Sequence, residues 1–155
     1  MTAAAISQLA ILTFDNVRLG LPLQEVAVIE RIAGIRYSEA SGQSLGSLSR
    51  MGRRYAVYGF SPHLQLLPEL PSQRLFCACL GEQSAQTGVA VACDTVVPVT
   101  LEQEAVLQPV PVCMQRTGSP LRYLLKYRQR LVLVSTAAAL MDYINGLENA
   151  HGQAQ

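Results

Sequence analysis

The chain of 155 residues has no tryptophan, and its 15% of charged residues is well below the roughly 25% of ordinary soluble domains. Twelve basic and eleven acidic side chains leave a formal charge of +1. Because nothing in the sequence concentrates positive charge, binding to nucleic acid through phosphate contacts is not expected. Disorder is excluded as well, since 50% of the residues are hydrophobic. So few charges favour a surface that is covered in part by another protein.

Long apolar runs are also missing, because none reaches the roughly 18 residues that a membrane-spanning helix needs. The opening residues, MTAAAISQLAILTF, lack the basic region that precedes the apolar part of a signal peptide. We therefore expect a cytoplasmic protein without direct insertion into the membrane.

Cysteine is present but not in the spacing of a metal site, since the sequence has no Cys-x-x-Cys pair. Its two histidines, His63 and His151, lie in a predicted loop and a predicted tail. A zinc site is therefore disfavoured, and no metal or cofactor is predicted. The pattern favours reduced cysteines that act as small hydrophobic residues in a cytosolic core. They are Cys77, Cys79, Cys93 and Cys113.

Catalytic motifs are few and lack their usual context. The segment from Gly42 to Gly46 carries Ser44 in the five-residue string of a nucleophile elbow. That elbow needs a strand before it and a helix after it, whereas this segment lies among loop residues. A polar loop serine is thus the favoured interpretation, and we expect an interaction protein rather than an enzyme.

Short apolar or alternating runs, separated by glycine, proline, asparagine or aspartate, predict about nine strands. They cover residues 9–14, 17–21, 26–32, 53–60, 75–80, 88–93, 94–99, 121–127 and 130–134. The spacing of Leu140, Ile144 and Leu147 after an alanine run predicts one helix over 136–147, capped by Thr136 or Ser135. Residues 33–49 are predicted to form a long connection, and 62–67 and 102–107 each a single helical turn.

This order predicts an all-β fold with a C-terminal helix, built as a barrel or a sandwich. We expect an N-terminal extension over 1–8, one domain over 9–147 and a flexible tail over 148–155.

The second half of the chain resembles the CheW family of bacterial chemotaxis adaptors. The apolar strand LFCACL, a polar turn, GVAVACDTVVPV and TLEQEAVLQPVP follow one another in the order of the family pattern. The hairpin and strand in FDNVRLGLPLQEVAVIERI, and the hairpin and helix in LRYLLKYRQRLVLVSTAAALM, extend the resemblance over about residues 9–147. The matching positions include Asp94, Val96, Val99, Leu101, Glu102, Pro109 and Pro111.

The resemblance implies two small five-stranded β-barrels around a shared hydrophobic seam. It also implies a non-catalytic scaffold that links a CheA-type histidine kinase to a methyl-accepting chemoreceptor. Nothing in it indicates an oligomeric state.

Several polar positions of the family are changed in this chain. The usual arginine is Met51, the usual proline is Ala56, and the usual aspartate is Gly59. A glutamate that often follows Val26 by two residues is Val28. An alternative hypothesis is therefore the same fold bound to a different regulatory or pilus-associated motility protein.

The resemblance places the candidate partner-binding residues in two segments. They are Val26 and Val28 on the third strand, and Met51, Gly52, Arg53 and Arg54 at the entrance to the strand that follows the long connection. For the apolar members, ordinary core packing is the alternative. For the arginines, which cluster with Arg50, the alternatives are a solvated strand entrance or contact with an acidic partner.

Overall fold

The computed structural model describes residues 6–81, 87–101 and 106–153. This part of the chain forms eleven strands and one α-helix, so the predicted all-β fold with a C-terminal helix is confirmed. The elements are β1 Gln8–Phe14, β2 Val17–Pro22, β3 Val26–Arg31, β4 Gly46–Arg50, β5 Arg53–Gly59, β6 Phe76–Leu80, β7 Thr87–Cys93, β8 Thr95–Thr100, β9 Gln108–Pro109, β10 Tyr123–Tyr127, β11 Arg130–Val134 and α1 Ala137–Gln153. The helical turn predicted over 102–107 falls largely outside the described residues.

The strands form two curled sheets, which we call the first and the second barrel. The first has the strand order β8-β1-β2-β11-β10-β9, and the second has the order β3-β6-β7-β5-β4. In the first barrel, β2 and β11 pair in parallel, and this pairing joins the β1–β2 hairpin to the β10–β11 hairpin. The second barrel has the five expected strands, and the sixth strand of the first is the two-residue β9.

The core consists of three apolar clusters, because the central strands are covered on both faces. Along β1, Leu9 and Ile11 point into the first barrel, whereas Leu12 and Phe14 point into the seam between the barrels. Along β6, Cys77 and Cys79 point into the second barrel, whereas Ala78 and Leu80 face the seam. This double burial explains why these strands appear in the sequence as continuous apolar runs.

Helix α1 packs against the seam through Leu140 and Ile144, as their spacing predicts. The predicted cap is confirmed, since the backbone N–H of Ala139 donates to Thr136 Oγ1 at 3.1 Å. The helix extends beyond the predicted end at residue 147 and continues to Gln153. Near this end, Tyr58 donates its hydroxyl hydrogen to Glu148 Oε1 at 2.8 Å, so Glu148 is tied to β5.

Two predictions of local structure are wrong. The connection predicted over 33–49 contains β4, whose Gly-Ser-Leu-Ser sequence has little intrinsic strand preference. Tertiary pairing with β5 and burial of Leu48 form this strand instead. The helical turn predicted over 62–67 is an irregular loop, in which Leu64 has a φ of +60° and Leu66 bridges back to Phe60.

The cysteines divide into two groups. Cys77, Cys79 and Cys93 are buried in the core, as predicted, and burial raises the pKa of the Cys77 and Cys79 thiols to about 12. Cys113, by contrast, is exposed on the segment between β9 and β10, so its assignment to the core was wrong. None of the four thiols forms a disulfide.

We therefore expect one fast-reacting thiol per chain when the native protein meets a colorimetric disulfide reagent, because the thiolate is the reactive form. Cys113→Ser should abolish that phase, and full reaction of the other thiols should require denaturant. A second fast thiol in the native Cys113→Ser variant would contradict the burial described here.

The side chain of Arg74 is buried at one end of the seam, although nothing in the sequence singled it out. Its Nη2 donates to Asp15 Oδ2 at 2.7 Å and to the carbonyl oxygen of Phe60 at 2.8 Å. Its Nε lies 3.3 Å from Asp94 Oδ1, and its guanidinium carbon lies 4.9 Å from the ring centroid of Phe14. One side chain thus connects the β1–β2 turn, the end of β5 and the junction of β7 with β8.

Arg74→Met should lower the free energy of unfolding by about 3 kcal/mol, because it leaves two carboxylates without their cation. Arg116→Met, at an exposed arginine, is the control and should change it by less than about 0.5 kcal/mol. Urea denaturation of both variants measures the difference. Equal stability of the Arg74→Met variant and the wild type would contradict the assigned role.

Candidate functional site

The second barrel is not fully closed, and a cleft lies where its edge strands β3 and β4 approach each other. Arg50 Nε is 2.9 Å from Glu30 Oε1, so an ion pair connects the two edges. Beside it lies a cavity of about 360 Å³, which we call the hairpin cleft because the β4–β5 hairpin forms one wall. The lining residues are Ala27, Val28, Arg50, Met51, Arg53 and Tyr55.

A β-bulge in β3 decides which of its residues reach the cleft. Val26 pairs with Leu80 and Val28 with the neighbouring Cys79, so two steps along β3 match one step along β6. The bulge turns the strand, because an extra residue reverses the alternation of faces. As a result Val26 packs in the seam, Val28 packs inside the second barrel, and Ala27 is exposed at the cleft.

The tip of the β4–β5 hairpin presents an apolar side chain to solvent. Met51 and Gly52 have φ values of +51° and +76°, the left-handed pair that a tight two-residue hairpin requires. Glycine suits such a position, whereas a residue with a Cβ pays about 1 kcal/mol or more there. Met51 is nevertheless 89% exposed. Neither core packing nor the geometry of the turn explains a methionine at this position. Met51 is therefore a candidate for contact with a partner.

The arginines near the hairpin have different environments. Arg53 lines the hairpin cleft, whereas Arg54 Nη2 lies 2.8 Å from Glu39 Oε2 on the far side of the hairpin. Glu39 also accepts a hydrogen bond from the hydroxyl of Ser47. The Ser47 hydroxyl, followed by the Arg54 guanidinium, holds the pKa of Glu39 below its usual value. Arg54 is thus engaged within the chain.

Of the six predicted residues, the structure brings Val28, Met51 and Arg53 together around one cavity. Gly52 lies beside them at the hairpin tip. Val26 and Arg54 are directed elsewhere, into the seam and toward Glu39. Binding of a partner by any of the six stays a prediction.

Sequence reasoning missed Tyr55 and Ala27 as lining residues. The alternation in RRYAVYGF places Arg53 and Tyr55 on the same face, so that signal was available. No comparable signal existed for Ala27, because it depends on the bulge.

The elbow-like serine does not form a catalytic arrangement. Ser44 is 7% exposed, and its Oγ donates to the carbonyl oxygen of Ser41 at 2.8 Å while accepting from the Ser41 N–H at 3.0 Å. These bonds close a local turn.

Across residues 6–81, 87–101 and 106–153, no three histidine, cysteine, aspartate or glutamate side chains gather as a metal site would require. Within the same ranges, no helix has both the length and the apolar character to cross a membrane.

Comparisons with models of protein families and with curated protein sequences found no match. A comparison with solved structures found the scaffolding protein TtCheW from Thermoanaerobacter tengcongensis, with a TM-score of 0.62 and 13% sequence identity. The alignment covers 83% of this chain and 88% of that one. At this identity the likeness shows the fold, which is CheW-like.

Met51→Asn should stabilise the protein by about 0.5–1 kcal/mol, because asparagine tolerates the left-handed conformation and Asn-Gly favours this hairpin turn. Met51→Ala is the matched control: it removes the same side chain but keeps the strain, so it should change stability little. Chemical denaturation distinguishes them, and equal effects of the two substitutions would contradict the strain at Met51.

Proposed function

We propose that this chain is a non-catalytic, cytoplasmic adaptor of a bacterial chemosensory system, which links a CheA-type histidine kinase to a methyl-accepting chemoreceptor. The observation that carries the proposal is the hairpin cleft, with the strained and exposed Met51 at its rim. The CheW-like fold and the similarity to a scaffolding protein support it.

The cleft has the character of a docking surface. Its apolar residues, Ala27, Val28 and Met51, lie beside the cationic Arg50 and Arg53. Because Glu30 engages Arg50, Arg53 is the arginine better placed to meet an acidic group of the partner. A few apolar anchors of this kind supply most of the affinity of a typical interface, and a charged rim supplies specificity.

The second candidate function is binding of a different regulatory or pilus-associated motility protein by the same cleft. It is favoured by the departures from the family pattern at the cleft itself, where Val28 and Met51 stand in place of charged residues. Such a change alters which partner is complementary to the cleft without altering the fold.

Met51→Arg should change the affinity for the kinase or the receptor at least about tenfold while leaving stability intact, because an apolar interface anchor is worth more than about 1 kcal/mol. Val112→Arg is the matched control, since Val112 is 83% exposed but lies outside the cleft. Binding of purified protein to a kinase regulatory domain and to a receptor signalling fragment measures the effect.

Equal effects of the two substitutions would contradict docking at the cleft. Failure to bind any cognate kinase or receptor fragment would instead favour the second candidate function. Val28→Glu is less suitable for this purpose, because Val28 is only partly exposed and also packs against the core of the second barrel, so this substitution changes packing as well as the cleft.

A further inference from the structure

The first barrel has a cavity of its own, of about 450 Å³, at the end near the β1–β2 and β10–β11 turns. We call it the arginine mouth, because three arginines line it, one from β2 and two from the β10–β11 hairpin. The lining residues are Ile11, Thr13, Arg18, Thr95, Val97, Val99, Tyr127, Arg128 and Arg130. The hairpin cleft, in contrast, belongs to the second barrel and shares none of these residues.

Strand register explains how one wall of the arginine mouth is built. Thr13 pairs with Arg18 on β2 and with Thr95 on β8, so these three side chains form one row across adjacent strands. Ile11 and Val97 pair in the next row on the same face. Directly opposed residues share a face of a sheet, and therefore a polar row borders an apolar one.

The opposite wall is the β10–β11 hairpin, with Arg128 in its tight turn. Tyr127 pairs with Arg130 across the hairpin, and the Arg128 guanidinium carbon lies 5.3 Å from the Tyr127 ring centroid. A guanidinium over an aromatic face is held by cation–π attraction while its donors stay available.

The arginine mouth is positively charged and has an accessible apolar floor. No acidic residue is among its lining residues, and no described carboxylate lies within 4.0 Å of Arg18, Arg128 or Arg130. At the floor Ile11 is buried, whereas Val97 is 50% exposed. Such an arrangement complements a ligand with negative charges on either side of an apolar group.

We propose that the arginine mouth binds an acidic segment of a partner protein, with an apolar side chain on the floor and flanking carboxylates on Arg18, Arg128 and Arg130. A small hydrated anion would leave the apolar floor unused, and a nucleic-acid backbone offers phosphates without an apolar group to insert. The peptide is the occupant that matches both features, and the site operates independently of the hairpin cleft.

The test uses the full chain and a fluorescein-labelled peptide with a Glu-Leu-Glu core, followed by fluorescence anisotropy. We expect saturable binding that weakens about tenfold or more in the Arg128→Gln/Arg130→Gln double variant, because charge-assisted hydrogen bonds are lost. Both arginines are exposed, so the double variant should remain folded, which circular dichroism checks. Arg116→Gln, at an exposed arginine outside the mouth, is the control and should bind like the wild type.

Two further peptides separate the charge from the apolar contact. A Gln-Leu-Gln core should bind weakly because it lacks carboxylates, and a Glu-Gly-Glu core should bind weakly because it leaves the floor empty. Equal binding of the Leu and Gly peptides, with displacement by inorganic phosphate or a single-stranded oligonucleotide, would indicate a general anion site and overturn the proposal. No binding of the Glu-Leu-Glu peptide, or equal loss in Arg116→Gln, would overturn it as well.

Discussion

The two sheets pack against each other along the seam, and this packing holds the strands, the helix and both openings in place. Strands β1, β5, β6 and β7 contribute alternate side chains to the seam and to a barrel interior, so neither sheet can shift in register without disturbing both. Helix α1 covers one side of the seam, and Arg74 ties three chain segments at one end of it. Rigid packing there leaves recognition to the places where the barrels open.

Half the residues of the chain are apolar, and the fold accounts for most of them without invoking a partner. Several large apolar side chains of the described residues stay exposed, and two of them lie at cavities that arginines line. Met51 is at the tip of a hairpin, and Val97 is at the floor of an arginine-lined cavity. Each barrel thus presents one opening in which an accessible apolar side chain lies beside arginines.

The sequence predicted those parts of the fold that depend on local pattern. Runs such as RLVLV and the leucine spacing of α1 identified strands and helix, and the order of motifs indicated the CheW-like arrangement. The sequence pattern could not predict β4, because this strand forms through pairing with β5. Nor could it predict the bulge that turns Val26 and Val28 to different faces of β3. Arg74 and the arginine mouth could not be predicted either, because their charges come together only in the folded chain. There Arg18 and the β10–β11 hairpin line one cavity, and Arg74 pairs with two distant aspartates.

The proposed adaptor function requires that the chain docks its partner through the hairpin cleft of the second barrel. Hydrogen exchange measured by mass spectrometry, on the chain alone and in complex with a kinase regulatory domain or a receptor signalling fragment, tests this most directly. We expect binding to slow amide exchange in residues 26–31 and 50–55. A stable complex that leaves exchange in both segments unchanged would contradict it.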